Sequence, residues 1–327
     1  MRRRHAATSL RPGVATPPRR PVAPSPRRPV ATSYDGKRGP AANPRDRNRE
    51  APLSAPILHH DRVTASPGAE PGRWLYVLHG IYGAGRNWAS IARRVVRRRP
   101  EWGALLVDLR EHGRSGAFPP PHTIAAAAQD VDTLVRATGL PATAMLGHSF
   151  GGKVALMFAR EHGVEAGLEQ LWIIDSLPDP VPTPRGSAWR MLALLRRHPG
   201  PFADRGEALA ALEAEGLPKG VAQWVSTNLE PSPGGGLRWR LDLDAMEALL
   251  LDFFRADLRD VVADPPAGLR IHFVRAASSD VVPPEVAARM RELGRENGRV
   301  TVQDVPGGHW LNADNPDAME ALLVEGL

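Results

Sequence analysis

The chain of 327 residues contains no cysteine. Disulfides, thiolate metal sites and a cysteine nucleophile are therefore excluded. No apolar run approaches the ~18 residues that a membrane-spanning helix needs. Gly83-x-Gly85 lacks the later glycine of a dinucleotide fingerprint and the Gly-Lys-Ser/Thr end of a P-loop. H-E-x-x-H and EF-hand patterns are missing as well, so neither a metal nor a cofactor is expected. Acidic residues are scarce in one region only. Residues 1–50 hold 13 Lys+Arg against 3 Asp+Glu, leaving 29 against 33 for the rest of the chain. The formal net charge of +6 thus combines a basic N-terminal stretch of +10 with a body of −4.

Residues 1–52 are rich in Pro, Arg, Ala and Ser, with runs such as Pro17-Pro18-Arg19-Arg20-Pro21 and Pro26-Arg27-Arg28-Pro29. They show no apolar periodicity and are expected to form a disordered basic tail. Such a tail suits contact with nucleic acid or an acidic surface, a targeting role, or a dispensable extension. Arginines follow Met1 with no apolar h-region behind them, which argues against a secretory or twin-arginine leader. The prolines argue against the amphipathic helix of an organelle transit peptide. A cytoplasmic location is expected, with organelle targeting by the tail left open.

What is present begins at residue 53, where strand and helix patterns alternate as in a parallel α/β sheet. Strands are expected at Ile57–Thr64, Trp74–His79, Ala104–Leu109, Ala142–Leu146 and Leu171–Asp175. Helices are expected at Asn87–Arg99, with a basic outer face, and at Thr123–Thr138 and Gly152–Glu161. The alternation then stops. Residues of about 178–262 read as a helical cap without a convincing strand, its helices at Ala188–Arg197, Glu207–Glu215, Gly220–Leu229 and Leu243–Phe254. Strands Leu269–Val274 and Val300–Val305 follow, with helices at Pro284–Arg295 and from Pro316. The expected architecture for 53–327 is one α/β domain, a mostly parallel twisted sheet flanked by helices, with the cap inserted before the last strands.

The chemistry centres on Gly147-His148-Ser149-Phe150-Gly151, which joins an apolar strand to a helix. This is the G-x-S-x-G pattern in a strand–turn–helix setting, where a strained turn lifts a serine hydroxyl above the sheet. A serine is a poor nucleophile at neutral pH and needs a base that is itself oriented by a third group. Of eleven histidines, His309 lies where that base is expected, between the last strand and the last helix. For the acid, Asp280 after the penultimate strand is the expected choice, with Asp175 and the cap residue Asp244 as alternatives. Backbone N–H groups of Ile81 and Phe150 are candidates for an oxyanion hole. Tyr82, Trp189 and Trp224 are candidates for the substrate pocket. His79 and His148 read as structural. Asp108 and Arg110 are expected to form an ion pair that braces a loop at the pocket rim, against a metal or phosphate site.

With these residues placed, the chain resembles the α/β-hydrolase superfamily, and within it the small abhydrolase-type serine esterases and thioesterases of bacteria and mitochondria. The resemblance spans roughly residues 70–325. It rests on Leu78-His79-Gly80, Asn87-Trp88, Asp108-x-Arg110-x-His112-Gly113-x-Ser115 and Gly147-His148-Ser149-Phe150-Gly151-Gly152-Lys153. Trp239-Arg240-x-x-Leu243-Asp244 and Gly308-His309-Trp310-x-x-Ala313-Asp314 add to it. The chain departs from the family pattern at Phe150, where Met is usual, and at Glu111, where Asn is usual. Ala276-Ala277-Ser278-Ser279-Asp280 replaces a common Gly-Gly-Asn-Ser pattern. The resemblance implies hydrolysis of carboxylic ester or thioester bonds of short or medium acyl groups, with Ser149 as nucleophile and His309 as base.

The expected function is thus a cofactor-independent serine hydrolase acting on a small acyl substrate through an acyl-enzyme. An alcohol acyltransferase, a carbon–carbon bond hydrolase or a cofactor-free haloperoxidase would keep the same residues. A non-catalytic binding protein on the scaffold is the reading from another class.

Overall fold

The structure, a computed structural model, describes residues 56–184 and 186–327. The expected basic tail of residues 1–52 lies outside them. Seven strands form the main sheet: β1 (His60–Val63), β2 (Arg73–Leu78), β3 (Trp102–Val107), β4 (Ala144–His148), β5 (Gln170–Ile174), β8 (Arg270–Ala276) and β9 (Val300–Val305). Their spatial order is β1-β3-β2-β4-β5-β8-β9, parallel throughout except for β1, which runs antiparallel to β3 at the edge. The inner strands read as continuous apolar runs because helices cover both faces. Every residue of β3, β4 and β5 is buried.

Alternation along β2 sends its side chains into two cores. Leu75 and Val77 join Leu106, Leu146 and Trp172 in the core shared with α1 (Ala89–Arg98), α10 (Leu311–Asp314) and α11 (Pro316–Gly326). Tyr76 and Leu78 join Leu105, Met145 and Leu171 on the other face. That face is covered by α2 (Ile124–Thr138), α3 (Phe150–Glu161) and α9 (Pro284–Asn297). The α2 boundaries are local chemistry: Thr123 accepts the Ala126 N–H on its hydroxyl, and Gly139 ends the helix at φ +65°.

Strand register decides where the site forms. Leu78 pairs with Gly147, His148 with Ile174, Ile174 with Val274 and Ala276 with Val305. The carboxyl ends of β2, β4, β5, β8 and β9 therefore lie side by side, along the edge where open α/β sheets bind ligands. The β4 strand runs to His148, past the expected end at Leu146, and so delivers Ser149 directly to that edge.

Between β5 and β8 the chain inserts α4 (Gly186–Arg197), α5 (Arg205–Ala214), α6 (Lys219–Val225), α7 (Leu243–Arg255) and α8 (Arg259–Ala263). It also contains a hairpin, β6 (Leu229–Pro231) with β7 (Leu237–Trp239), which corrects the expectation of an insertion without strands. Strands of three residues are too short to display a period of two, and Pro231 further masks the first. The turn between them uses Gly235 and Gly236 at φ +93° and +73°. Among the described residues, no helix is long and apolar enough to cross a membrane.

Candidate active site

The turn after β4 is built by close backbone approach. A Cβ on Gly147 would stand 2.2 Å from the Gly151 carbonyl oxygen, and one on Gly151 would stand 2.5 Å from the Leu78 carbonyl oxygen. No side chain fits either place. The half-buried Ser149 takes φ +52° and ψ −115°, a strained conformation for a residue with a Cβ. Its N–H donates to the Ile174 carbonyl at 2.9 Å, which ties the turn to the end of β5.

His309 arrives in the loop between β9 and α10. The Ser149 hydroxyl lies 3.0 Å from His309 Nε2, and His309 Nδ1 lies 2.7 Å from Asp175 Oδ2. The carboxylate requires the proton on Nδ1, which leaves Nε2 as an acceptor for the serine proton. Asp175 is fully buried, and its second oxygen accepts the Ala276 N–H at 3.2 Å. Hydroxyl, imidazole and carboxylate thus form one hydrogen-bonded chain, the arrangement that proton transfer from a serine needs.

The expected acid, Asp280, is not part of this chain. It sits four residues past the end of β8 in an exposed turn. Strand order explains the difference: β5 is the neighbour of β4, whereas β8 lies one place further out. Asp175 needs only the residue after Ile174 to come beside Ser149. Asp244 is remote from this chemistry too, exposed on α7 and paired with Arg196 at 2.6 Å.

The oxyanion candidates lie on either side of the serine. Phe150 opens α3, where the first N–H groups have no partner within the helix. Gly80 packs directly on the turn, since a Cβ there would be 3.4 Å from Ser149 Cβ. Among the described residues, neither the Ile81 nor the Phe150 N–H has a hydrogen-bond partner.

The surrounding histidines are held neutral. His148 donates from Nε2 to the His309 carbonyl at 2.8 Å, and burial, reinforced by the neighbouring His309, pushes its pKa down to about 3. His79 donates to the Gly80 carbonyl at 2.7 Å and accepts the Leu109 N–H at 3.0 Å. Its pKa is lowered by burial. Asp108 accepts the Gly85 and Arg114 N–H groups, and Arg110 pairs with Asp130 at 2.6 Å. The expected ion pair between these two residues is therefore replaced by separate contacts, each bracing a loop through a different partner.

The pocket candidates separate. Tyr82 is buried, at φ +61°, and donates its hydroxyl to the Ala188 carbonyl of α4 at 2.9 Å. Trp224, on α6, packs against Trp310 with ring centroids 5.7 Å apart, immediately beside His309. Trp189 instead meets Phe254 edge-on at 6.3 Å and lines a hollow with Leu192, Arg196 and Glu247 that does not include Ser149. Lys153, a family mark in the sequence, proves to be completely buried on α3. Its ammonium donates to the carbonyls of Asp179, Phe253 and Ala256 at 2.8, 2.7 and 2.8 Å, which ties α3 to both ends of the insertion. Burial lowers its pKa to about 8. Among the described residues, no three His, Asp or Glu side chains are grouped to hold a metal.

Residues 75–322 match the model of the alpha/beta hydrolase family. The chain belongs to that family. A sn-1-specific diacylglycerol lipase from Mus musculus, ABHD11, is 30% identical over 84% of this chain and 85% of its own length. Protein phosphatase methylesterase 1 from Neurospora crassa is 25% identical over 88% of this chain and 70% of its own. Among solved structures, a marine microorganism esterase superposes with a TM-score of 0.72 at 24% identity, covering 84% of this chain and all of that one. This last likeness shows the shared hydrolase fold.

Proposed function

We propose that this ester hydrolase works through a covalent acyl-enzyme on Ser149, with His309 as general base and Asp175 as the residue that orients it. The observation that carries the reading is the continuous chain from Ser149 Oγ through His309 to the buried Asp175 carboxylate, with contacts of 3.0 and 2.7 Å. His309 Nε2 takes the serine proton as Oγ attacks the acyl carbonyl. The resulting imidazolium is stabilised by the Asp175 carboxylate. The oxyanion is received by the Ile81 and Phe150 N–H groups, aided by the positive end of the α3 dipole. His309 then protonates the leaving alcohol or thiol, and the acyl-enzyme forms. A water deprotonated by His309 attacks that ester, and the acid departs.

The substrate is a small carboxylic ester or thioester of short or medium acyl chain. The insertion acts as a cap, and Trp224 and Trp310 form an apolar wall beside His309 that suits an acyl group. Ser149→Ala is expected to abolish hydrolysis of p-nitrophenyl esters and acyl-CoAs of graded length, and to abolish labelling by a fluorophosphonate probe. Labelling that persists in the folded Ser149→Ala protein would overturn the assignment of the nucleophile.

A further inference from the structure

The segment carrying the Ile81 N–H is held by a chain of peptide groups that ends in the insertion. Asn228 lies at the junction between α6 and β6, buried, with 2% of its surface exposed. Its Nδ2 donates to the Tyr82 carbonyl at 2.8 Å and to the Val225 carbonyl at 3.2 Å, and two carbonyl acceptors settle which way the amide faces. The peptide that begins with the Tyr82 carbonyl ends with the Gly83 N–H, and this N–H donates to the Gly80 carbonyl at 3.0 Å. The peptide that begins with the Gly80 carbonyl ends with the Ile81 N–H. In a planar trans peptide the carbonyl and the N–H point in opposite directions. Fixing the Gly80 oxygen between Gly83 N–H and His79 Nδ1 therefore fixes the direction in which the Ile81 N–H points.

We propose that Asn228 is a positioning residue for the oxyanion hole, acting through the Tyr82–Gly83 and Gly80–Ile81 peptides to aim the Ile81 N–H. The inference rests on the acyl-enzyme reading of the site. Donors and acceptors run head to tail from Asn228 to Ile81, so each dipole polarises the next and strengthens the terminal N–H as a donor. Tyr82 sits at φ +61°, a conformation that a bulky residue holds only when its surroundings impose it. The hairpin supplies the rigidity. The Asn228 carbonyl accepts the Arg240 N–H at 2.8 Å, and the adjacent Leu229 pairs with Trp239 across the two strands. The insertion thereby carries part of the oxyanion machinery as well as roofing the substrate, and a displaced cap would leave Ser149 and His309 intact but the hole misaligned.

The test uses the full chain and three variants. Asn228→Ala removes the donor. Asn228→Ser keeps a shorter hydroxyl donor and carries the same comparison if the alanine variant does not fold. Arg86→Met is the control, since Arg86 Nη2 donates to the Thr227 carbonyl at 3.2 Å and so ties the same loop to the segment just after that turn without entering the peptide chain. Asn228→Ala is expected to lower kcat on a p-nitrophenyl ester by about 10- to 100-fold, below the loss for a deleted oxyanion donor, with KM little changed. Affinity for a matching trifluoromethyl ketone, which forms the oxyanion adduct, should fall by the same factor. Asn228→Ser should lie between wild type and Asn228→Ala, and Arg86→Met should stay within about twofold of wild type. Unchanged kcat and ketone affinity in a folded Asn228 variant would overturn the inference, as would equal losses in Arg86→Met. A wild-type protein that no fluorophosphonate labels would instead overturn the acyl-enzyme reading on which it rests.

Discussion

Asp175 and His309 are separated by 134 positions in the chain, yet the Asp175 carboxylate receives the His309 Nδ1–H at 2.7 Å. The contact lies beneath the imidazole on the side away from solvent, since Asp175 is wholly buried while a fifth of the His309 side chain is exposed. A carboxylate so placed fixes both the tautomer and the tilt of the ring. Asp175→Asn should keep the geometry but favour the wrong tautomer, lowering kcat by up to ~10⁴. Asp280→Asn, in an exposed turn, should change kcat by no more than about twofold. Steady-state kinetics on one p-nitrophenyl ester decides between them, and a reversal of the two effects would return the acid role to Asp280.

The elbow should tolerate no added methyl group. Gly147→Ala places a Cβ 2.2 Å from the Gly151 carbonyl oxygen, and the obstacle is backbone that cannot rotate aside. A loss of stability of at least ~1–3 kcal/mol is expected, as for other overpacked sites. Thermal unfolding measures it, and an unchanged Tm would show that the turn is looser than this geometry requires.

Lys153 gives the protein a pH-dependent stability with a defined sign. Burial lowers its folded-state pKa to about 8, from 10.5 as the ordinary value. Between those values the unfolded chain binds more protons than the folded one, so this group makes stability rise with pH. Below pH 8 both states are charged and the full burial penalty applies; above 10.5 both are neutral and it vanishes. Lys153→Met removes the titration but leaves three carbonyls without their donor, at about 1–3 kcal/mol each if they stay buried. Measured by urea unfolding, the stability difference should move in favour of wild type by up to about 3 kcal/mol from pH 7.5 to 10.5. A difference that stays flat would mean that Lys153 is not desolvated.

Acyl-chain preference should report on the aromatic wall. Each methylene that fits should gain roughly 0.8 kcal/mol until the pocket fills, after which overpacking reverses the trend. A plot of log(kcat/KM) against acyl carbon number should break by about eight carbons. Trp224→Ala, which removes the ring facing Trp310, should move the break to longer chains. A wild-type plot still rising at palmitoyl esters would show instead that the cap opens for long lipids.

How much of this is legible in the sequence depends on how local each feature is. The elbow was readable because strand, glycine turn and helix occupy a dozen consecutive residues, and the close approach at Gly147 and Gly151 is a constraint that neighbouring residues impose on one another. The position of His309 in the loop between the last strand and the helices that follow is readable from the patterns on either side of it. Helices α4 to α7 of the insertion are readable from apolar periodicity, but α8 and the hairpin are not, because elements of five and three residues carry too little of a period.

The choice of acid had a different origin. The sequence by itself determined that a carboxylate ends one strand, at Asp175, and that another follows a later strand, at Asp280. It could not say which strand stands next to β4, because the order of strands in a sheet is set by how distant segments pack, and only the folded sheet puts β5 there. The same holds for Lys153 and Asn228. Lys153 stands out in the sequence only as a family mark and Asn228 not at all, and each finds a backbone acceptor on a segment far from it in the chain: Phe253 and Ala256 for the lysine, Tyr82 for the asparagine. A buried polar group must be paired, but its partner is chosen by tertiary packing and leaves no local pattern to read.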